Sequence, residues 1–107
     1  VRQVLYELMG SRGRLEELAK VLGKLSFALD GNDRRLVDEG REEAQALARL
    51  FPPHYWMDAL LAAAQTPGAR AAALAQLYLE RCYKLANEDL QGVQEVEARI
   101  REQEGKG

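Results

Sequence analysis

The amino-acid sequence predicts an all-α fold, a small antiparallel up-and-down bundle of four main helices with a short extra helix after a Pro-Pro stop. Ala, Leu, Arg and Glu dominate the composition, and these residues favour helices. Apolar residues recur at helical spacing, no segment shows the strict alternation of a strand, and no internal repeat is evident. The length of 107 residues predicts a single domain, residues 1–107. Arginine outnumbers lysine 11 to 4, a bias associated with GC-rich, thermophilic sources.

The first thirty residues carry an apolar seam that is typical of a helix packed as in a coiled coil. Its members alternate at steps of four and three: Val4, Leu8, Ser11, Leu15, Leu18, Leu22, Leu25 and Leu29. The segment GSRG at 10–13 interrupts it with two glycines, each costing about 1 kcal/mol within a helix. This segment is either a break between a short helix and a longer one or a gap for a ligand or partner, and we favour the break.

A second helix is expected from about Asp33 to Leu50. In the preceding LDGND at 29–33, Gly31 is suited to end one helix, and Asn32 or Asp33 can cap the next. Pro52–Pro53 stops the second helix, because proline disfavours helical geometry in the residue before it and lacks an N–H. The expected inner stripe contains two small residues that permit a close neighbour: Val37, Gly40, Ala44, Leu47 and Phe51.

The second half of the chain is expected to hold a short helix from Tyr55 to Ala64 and a helical region from 69 to 104. QTPG at 65–68 separates them, with Thr66 as a candidate N-cap. A single helix over 69–104 would be about 50 Å long, so we favour two helices that meet near 87–89 over one continuous helix. The two apolar stripes of this region are Leu74, Tyr78, Cys82 and Leu85, and then Val93, Val96 and Ile100.

Composition and charge argue against several classes of function. The chain has 17 acidic and 15 basic residues, a net charge of −2, without the basic stripe of a nucleic-acid binder. Its longest uncharged apolar run, ALLAAA at 59–64, is too short to span a membrane. One cysteine excludes an internal disulfide and a multi-cysteine zinc site. We recognise no signal peptide, which favours the cytoplasm, although a chain beginning at Val1 leaves the compartment open.

Three features follow one another in the second half: the Pro-Pro pair at 52–53, KLANE at 84–88 and the amphipathic VQEVEARIREQ at 93–103. In this respect the chain resembles the four-helix haem proteins of the cytochrome b-562 family, which implies an up-down-up-down bundle. That family binds haem between a methionine of the first helix, here Met9, and a histidine near the end of the last. No histidine follows His54, and the CxxCH motif of the related cytochromes c-prime is reduced here to Cys82. We therefore expect the fold without the cofactor.

The stretch FPPHYW at 51–56 holds the only histidine and the only tryptophan. His54 has no acid or cysteine at ligand spacing, so we interpret it as a loop residue rather than a metal ligand or base. Tyr55, Trp56 and Met57 form a candidate interaction patch, because aromatic residues and methionine are enriched at interfaces. Alternatively, Trp56 folds back and caps one end of the bundle.

No catalytic or metal-binding residues are expected. Cys82 lies in the middle of a helix, whereas a reactive thiolate needs a base or a helix N-terminus, so a buried apolar role is favoured. The acidic pairs Glu16–Glu17 and Glu42–Glu43 lack the Glu-x-x-His motif of diiron bundles and are interpreted as solvated helix faces.

These observations favour a small non-catalytic interaction or scaffold module that binds a protein partner or a second copy of itself. An under-covered apolar surface predicts a homodimer that buries parts of the last helical region and the patch at 55–57. The alternative is a haem- or small-ligand-binding bundle resembling b-type cytochromes. An enzyme is disfavoured, because no base, nucleophile and orienting group can be assembled.

Overall fold

The computed structural model describes residues 2–105 and contains no strand in that range. The helices are α1 Arg2–Leu8, α2 Ser11–Asp30, α3 Arg34–Ala48, α4 Met57–Ala64, α5 Ala69–Ala86 and α6 Leu90–Gly105, with a 3₁₀ turn at Pro53–Tyr55. The all-α prediction is confirmed, with α2, α3, α5 and α6 as the four long helices and α4 as the short one. The chain divides into two compact units, unit 1 (Val1–Pro53) and unit 2 (His54–Gly107). The single domain over 1–107 stays a prediction.

In unit 1, α1 and α2 are separate helices, which confirms the break expected at GSRG. Gly10 precedes α2 in an extended conformation, with φ −74° and ψ 173°. The Arg14 side chain donates hydrogen bonds to the carbonyl oxygens of Tyr6 (2.8 Å), Glu7 (2.8 Å) and Leu50 (3.2 Å). Because the last carbonyls of a helix lack partners within it, Arg14 both satisfies the end of α1 and ties it to the end of α3.

The apolar seam predicted for the first thirty residues is confirmed only in part. Val4 and Leu8 are 57% and 79% exposed, so α1 does not continue it. The buried stripe of α2 retains three predicted leucines and adds two residues: Leu15, Leu18 and Leu25, with Val21 and Ala28. Leu22, which the seam placed in the core, is only half-buried. The reason is that a straight helix of 3.6 residues per turn drifts away from a seven-residue repeat.

A short junction joins α2 to α3. Asn32 adopts a left-handed conformation (φ 54°), and the N–H of Asp33 donates to the carbonyl of Ala28 at 3.0 Å. This is the hydrogen bond of a Schellman motif, in which a left-handed residue ends the helix. The Asp33 carboxylate then accepts from the N–H of Leu36 and caps α3. Gly31, expected to end the first long helix, is the C-cap of α2, and its φ of −86° leaves the left-handed position to Asn32.

The inner stripe predicted for α3 is confirmed. All five of its members are buried: Val37, Gly40, Ala44, Leu47 and Phe51. A Cβ atom at Gly40 would lie 3.4 Å from the Cβ of Leu25, so glycine permits the close approach of α2 that the sequence predicted. α3 ends at Ala48, ahead of Pro52–Pro53.

In unit 2, α4 and α6 both pack against α5. The region 69–104 forms two helices, as favoured, and their junction repeats the construction of the α2–α3 junction. Glu88 is left-handed (φ 58°), the N–H of Asp89 donates to the carbonyl of Lys84 at 2.9 Å, and the Asp89 carboxylate accepts from the N–H of Gly92 at 2.9 Å. Segments 28–37 and 84–93 thus share a backbone design, although only Leu, Asp and Val recur at matching positions.

The start of α5 differs from the prediction. Thr66 donates its hydroxyl to the carbonyl of Ala62 at 2.7 Å and so closes α4 instead of capping α5. The N-cap of α5 is Gly68, whose φ of 105° suits glycine. None of the helices described here is long and apolar enough to cross a membrane.

Candidate interaction site around Trp56

The predicted patch lies where the 3₁₀ turn meets α4 in unit 2. Tyr55 and Met57 are both buried, at 7% exposure, whereas Trp56 is 41% exposed. The side chains on either side of Trp56 therefore anchor the chain, and the indole is the one member of the patch with a large surface in solvent. Whether the patch binds a partner stays a prediction.

The backbone of Trp56 is in an uncommon conformation. Its φ of 58° and ψ of 45° place it in the left-handed region, at the N-cap of α4, and its side chain makes no capping hydrogen bond. For a residue other than glycine this region costs on the order of 1–3 kcal/mol and persists where the surroundings enforce it. The buried side chains of Tyr55 and Met57 supply that enforcement.

Arg81 of α5 holds one face of the indole. Its guanidinium carbon lies 3.4 Å from the Trp56 ring centroid, a cation–π contact. The same guanidinium donates from Nε to the Glu97 carboxylate and from Nη1 to the carbonyl of His54, both at 2.9 Å. Only 4% of Arg81 is exposed. One buried cation therefore ties together the 3₁₀ turn, Trp56, α5 and α6.

Tyr78, one turn before Arg81 on α5, contacts the same indole. The two rings meet edge to face, with centroids 6.5 Å apart and planes at 76°. The Tyr78 hydroxyl donates to the Glu104 carboxylate at 3.0 Å. Burial raises the pKa of Tyr78, and the hydrogen bond to Glu104 and its negative charge raise it further. The phenol is thus neutral at physiological pH, and two α5 side chains fix the orientation of the indole.

His54 has the loop position that the sequence predicted. It lies exposed in the 3₁₀ turn, with its ring centroid 4.9 Å from that of Tyr55. Its backbone carbonyl, not its imidazole, is used by Arg81. Among the residues that the structure describes, no group of three or more His, Cys, Asp or Glu side chains could hold a metal ion.

Cys82 is completely buried, which confirms its predicted place in the core. Its thiol lies 3.4 Å from the backbone carbonyl of Tyr55, to which it donates a weak hydrogen bond. Burial raises the pKa of this thiol to about 11, and the nearby charge of Arg81 offsets only part of that effect. The protonated thiol is therefore the form present at neutral pH, and it is not a ready nucleophile.

We expect the Cys82 thiol to react slowly with a soluble aromatic disulfide in the folded protein and rapidly after unfolding in urea. The raised pKa also makes stability depend on pH. The ordinary thiol value is 9.0 and the folded value about 11, so the folded state holds the proton more tightly. This stabilisation is complete below about pH 9 and is lost as the pH rises towards 11. Urea denaturation across this range, with Cys82→Ala as the control, measures it. Rapid labelling of the native protein would contradict the burial.

Arg81 is the residue of this site that sequence reasoning missed. It lies three residues after Tyr78 and directly before Cys82, on the edge of a predicted apolar stripe. A charge in that position needs a partner from another helix, and Glu97 on the amphipathic α6 is that partner. The feature of the sequence that could have identified Arg81 is therefore a basic residue on a helix stripe that is predicted to face inward.

Comparison with protein-family models, curated proteins and solved structures gives no match. The resemblance to the cytochrome b-562 family therefore stays a prediction. The residues that correspond to the haem ligands fit poorly, because Met9 lies just beyond the end of α1 and α6 contains no histidine.

Proposed function

We propose that this chain is a small non-catalytic helical interaction module that self-associates as a homodimer, with Trp56 as an anchor of the contact. The observation that carries the proposal is an indole that is 41% exposed yet held by Arg81 and Tyr78. Tryptophan is among the residues that contribute most to binding energy at interfaces. A side chain that is already fixed loses little conformational entropy on binding.

The competing interpretation is that Trp56 only caps the helices of unit 2. A pure cap is expected to bury most of its apolar surface, as Tyr55 and Met57 do in the same turn. Trp56 instead leaves a large fraction in water while its backbone stays in a strained conformation. Strain of this kind, next to exposed aromatic surface, favours a functional contact over simple packing.

A non-catalytic role is supported by the chemistry of the described residues. The only thiol is buried and protonated at neutral pH because its pKa is raised to about 11. The one histidine lies on a surface turn. The Cys82 thiol donates to a backbone carbonyl and not to a base, so it is not activated as the nucleophile that acyl transfer or hydrolysis of the triad type would need.

The proposal is tested by sedimentation equilibrium at micromolar concentration. We expect the wild type to be a reversible dimer and Trp56→Ala to weaken the dimer about tenfold or more, since an anchor residue contributes about 2 kcal/mol. Leu90→Ala is the matched control, because Leu90 is a 71% exposed apolar residue of the same unit. Trp56 is the only tryptophan, so its fluorescence should shift to the blue as the concentration rises.

Three outcomes would overturn this proposal. A wild type that stays monomeric at every concentration would remove self-association. A dimer that Trp56→Ala leaves unchanged would reduce Trp56 to a cap. A Soret band in the purified protein would favour the haem-binding alternative instead.

A further inference from the structure

The two units contain the same order of helices at nearly the same spacing. Each has a short helix followed by two long helices, and the two long helices pack against each other. When the helices of unit 1 are shifted by 56 residues, their ranges become 58–64, 67–86 and 90–104. The helices of unit 2 are α4 Met57–Ala64, α5 Ala69–Ala86 and α6 Leu90–Gly105. Every bound therefore agrees within two residues.

The junctions between the long helices also coincide at this offset, bond by bond. Asn32 and Glu88 are the left-handed residues, with φ of 54° and 58°. In both junctions three successive N–H groups donate to the carbonyls four, three and five residues earlier. Asp33 and Asp89 then accept from the N–H three residues later. Because these bonds match although the residues mostly differ, the two junctions share one backbone design.

A contact between distant residues is repeated as well. Arg14, near the start of α2, donates to the carbonyl of Leu50 at 3.2 Å, and this carbonyl lies at the end of α3. Arg70 stands at the equivalent position of α5, and it donates to the carbonyl of Glu104 at the end of α6, at 2.8 Å. The last carbonyls of a helix lack partners within it. Each unit therefore closes its pair of long helices with an arginine from the same position.

The second long helices bury the same positions. The equivalent buried pairs are Val37 and Val93, Gly40 and Val96, and Ala44 and Ile100. Only the first pair is identical, and few residues elsewhere are identical at this offset. The similarity therefore lies in the structure and not in a repeated sequence.

One buried position of the first long helix is filled differently in the two units. In unit 1 it holds Leu25, which is completely buried, and in unit 2 it holds Arg81, which is 4% exposed. Arg41 stands at the position equivalent to Glu97 and pairs with Asp38 of its own helix. Leucine is an ordinary core residue, whereas a buried guanidinium needs partners. Unit 1 thus shows that this design folds without the charge.

The short helices show what Arg81 adds. Leu60 and Leu61 of α4 are buried, whereas Val4 and Leu5, at the equivalent positions of α1, are 57% and 54% exposed. The turn before α4 is bound to α5 because Arg81 and Cys82 donate to the carbonyls of His54 and Tyr55. In unit 1, Leu25 replaces Arg81 and has no hydrogen to donate. The guanidinium is therefore tied to the placement of the turn that carries Trp56.

We infer that the chain is a tandem repeat of one three-helix unit, and that Arg81 occupies a core position of this unit in order to position Trp56. The fold accepts leucine at this position, and the indole and its turn are what require the guanidinium. The role of Arg81 in binding rests on the proposed function of Trp56, whereas the repeat does not depend on it.

The first test exchanges residues 30–32 (DGN) and 86–88 (ANE) within the full chain. We expect the helix signal in circular dichroism to persist and the ratio of folded to unfolded protein in urea to change less than about threefold, as for surface substitutions that keep the local backbone. Asn32→Val with Glu88→Val is the control, because a β-branched residue does not suit the left-handed region. We expect this pair to lower the ratio about tenfold or more.

The second test combines Arg81→Leu, which introduces the residue of unit 1, with Glu97→Gln, which removes the charge that would be stranded. Replacing a buried ion pair by uncharged residues is often neutral, so we expect a change of less than about tenfold in the folded ratio. Arg81→Ala should lower it about a hundredfold. His54 is exposed, so water can serve its carbonyl.

The same variant should release the indole. In dilute protein, we expect the emission of Trp56 to change and its fluorescence anisotropy to fall, because the guanidinium no longer covers the ring. In sedimentation, association should weaken about fivefold or more. The matched control is Arg99→Leu with Glu80→Gln, the same pair of changes at an exposed ion pair between the same helices. It should leave the emission and the association unchanged.

Each part of the inference has a result that would overturn it. Exchanged junctions that destabilise the protein as much as the valine pair would remove the repeat. If Arg81→Leu with Glu97→Gln unfolded the protein or cost as much as Arg81→Ala, the guanidinium would belong to the fold. Unchanged emission and anisotropy of Trp56 would show that Arg81 does not position it. A wild type that is always monomeric would overturn the proposed function alone, since the fluorescence and urea measurements still decide the inference.

Discussion

We expect Leu25→Ala to lower the free energy of unfolding by about 2–5 kcal/mol, the range for truncating a fully buried leucine. Leu25 is completely buried and clusters with Ala28 and Val37, and Leu22 and Leu29 pack against this cluster. It also faces Gly40, where the α2 and α3 backbones come close together. Helices held this close cannot collapse much further, so most of the cavity left by the missing side chain should remain.

Leu22→Ala is the matched control, because it makes the same change one turn earlier in the same helix at a half-buried position. We expect it to lose less than half as much. Urea denaturation followed by circular dichroism gives the free energies, and Trp56 fluorescence follows unit 2 separately, so two transitions that fail to coincide would show that the units unfold independently. If Leu22→Ala lowered the free energy of unfolding as much as Leu25→Ala or more, the predicted seven-residue seam that includes Leu22 would be the core stripe of α2 after all.

Arg81→Ala should be the second strongly destabilising change, at about 3 kcal/mol or somewhat more, because removing one partner of a buried ion pair strands the other. The substitution leaves the Glu97 carboxylate without its cation, the carbonyl of His54 without a donor and the Trp56 ring without the guanidinium. The Glu97 side chain is 26% exposed, so water relieves part of the cost. The indole emission should also change, since its cation–π partner is lost.

Arg99→Ala provides the comparison. Arg99 pairs with Glu80 at 3.0 Å, but both side chains are substantially exposed, so this pair should contribute no more than about 1 kcal/mol. Arg81→Lys should fall between the two, because a lysine keeps the charge but cannot serve Glu97 and the carbonyl of His54 with one planar fork. Urea denaturation measures the free energy of unfolding of each variant. Similar decreases for Arg81→Ala and Arg99→Ala would show that the buried Arg81 network stabilises the protein no more than an exposed ion pair does.

The dimer experiments and the stability experiments constrain each other. Trp56 and Leu90 are both exposed, and we expect Trp56→Ala to weaken association and the control, Leu90→Ala, to leave association unchanged. Leu25 is buried, so its substitution should lower stability first and affect association only through unfolding. Arg81→Ala should lower stability and also weaken association directly, because the guanidinium no longer holds the Trp56 indole. If the substitution of an exposed residue lowered the free energy of unfolding, this would show that the surface of that residue is covered in the assembly.

The sequence by itself determined the features that depend on neighbours along the chain. The stripe of α3 and its end before Pro52–Pro53 were predicted correctly, because helical periodicity and the missing proline N–H are local properties. The break at GSRG and the two helices within 69–104 were likewise predicted. The burial of Cys82 followed from its place on an apolar stripe.

Only the tertiary structure decided the features that depend on residues distant in sequence. Leu22 and Val21 are both apolar and adjacent, and which of them is buried depends on how α2 is rotated against α3. Thr66 can bond either forward or backward, and the free carbonyl of Ala62 decided the direction.

The candidate site around Trp56 also depends on contacts between residues that are distant in sequence. Arg81 lies 27 residues beyond His54 and donates to its carbonyl, and so holds the turn that leads into Tyr55 and Trp56. Glu97 comes from 16 residues further along. The side-chain contacts that assemble this site are long-range, and their partners are chosen by packing of whole helices, which periodicity along one chain does not encode.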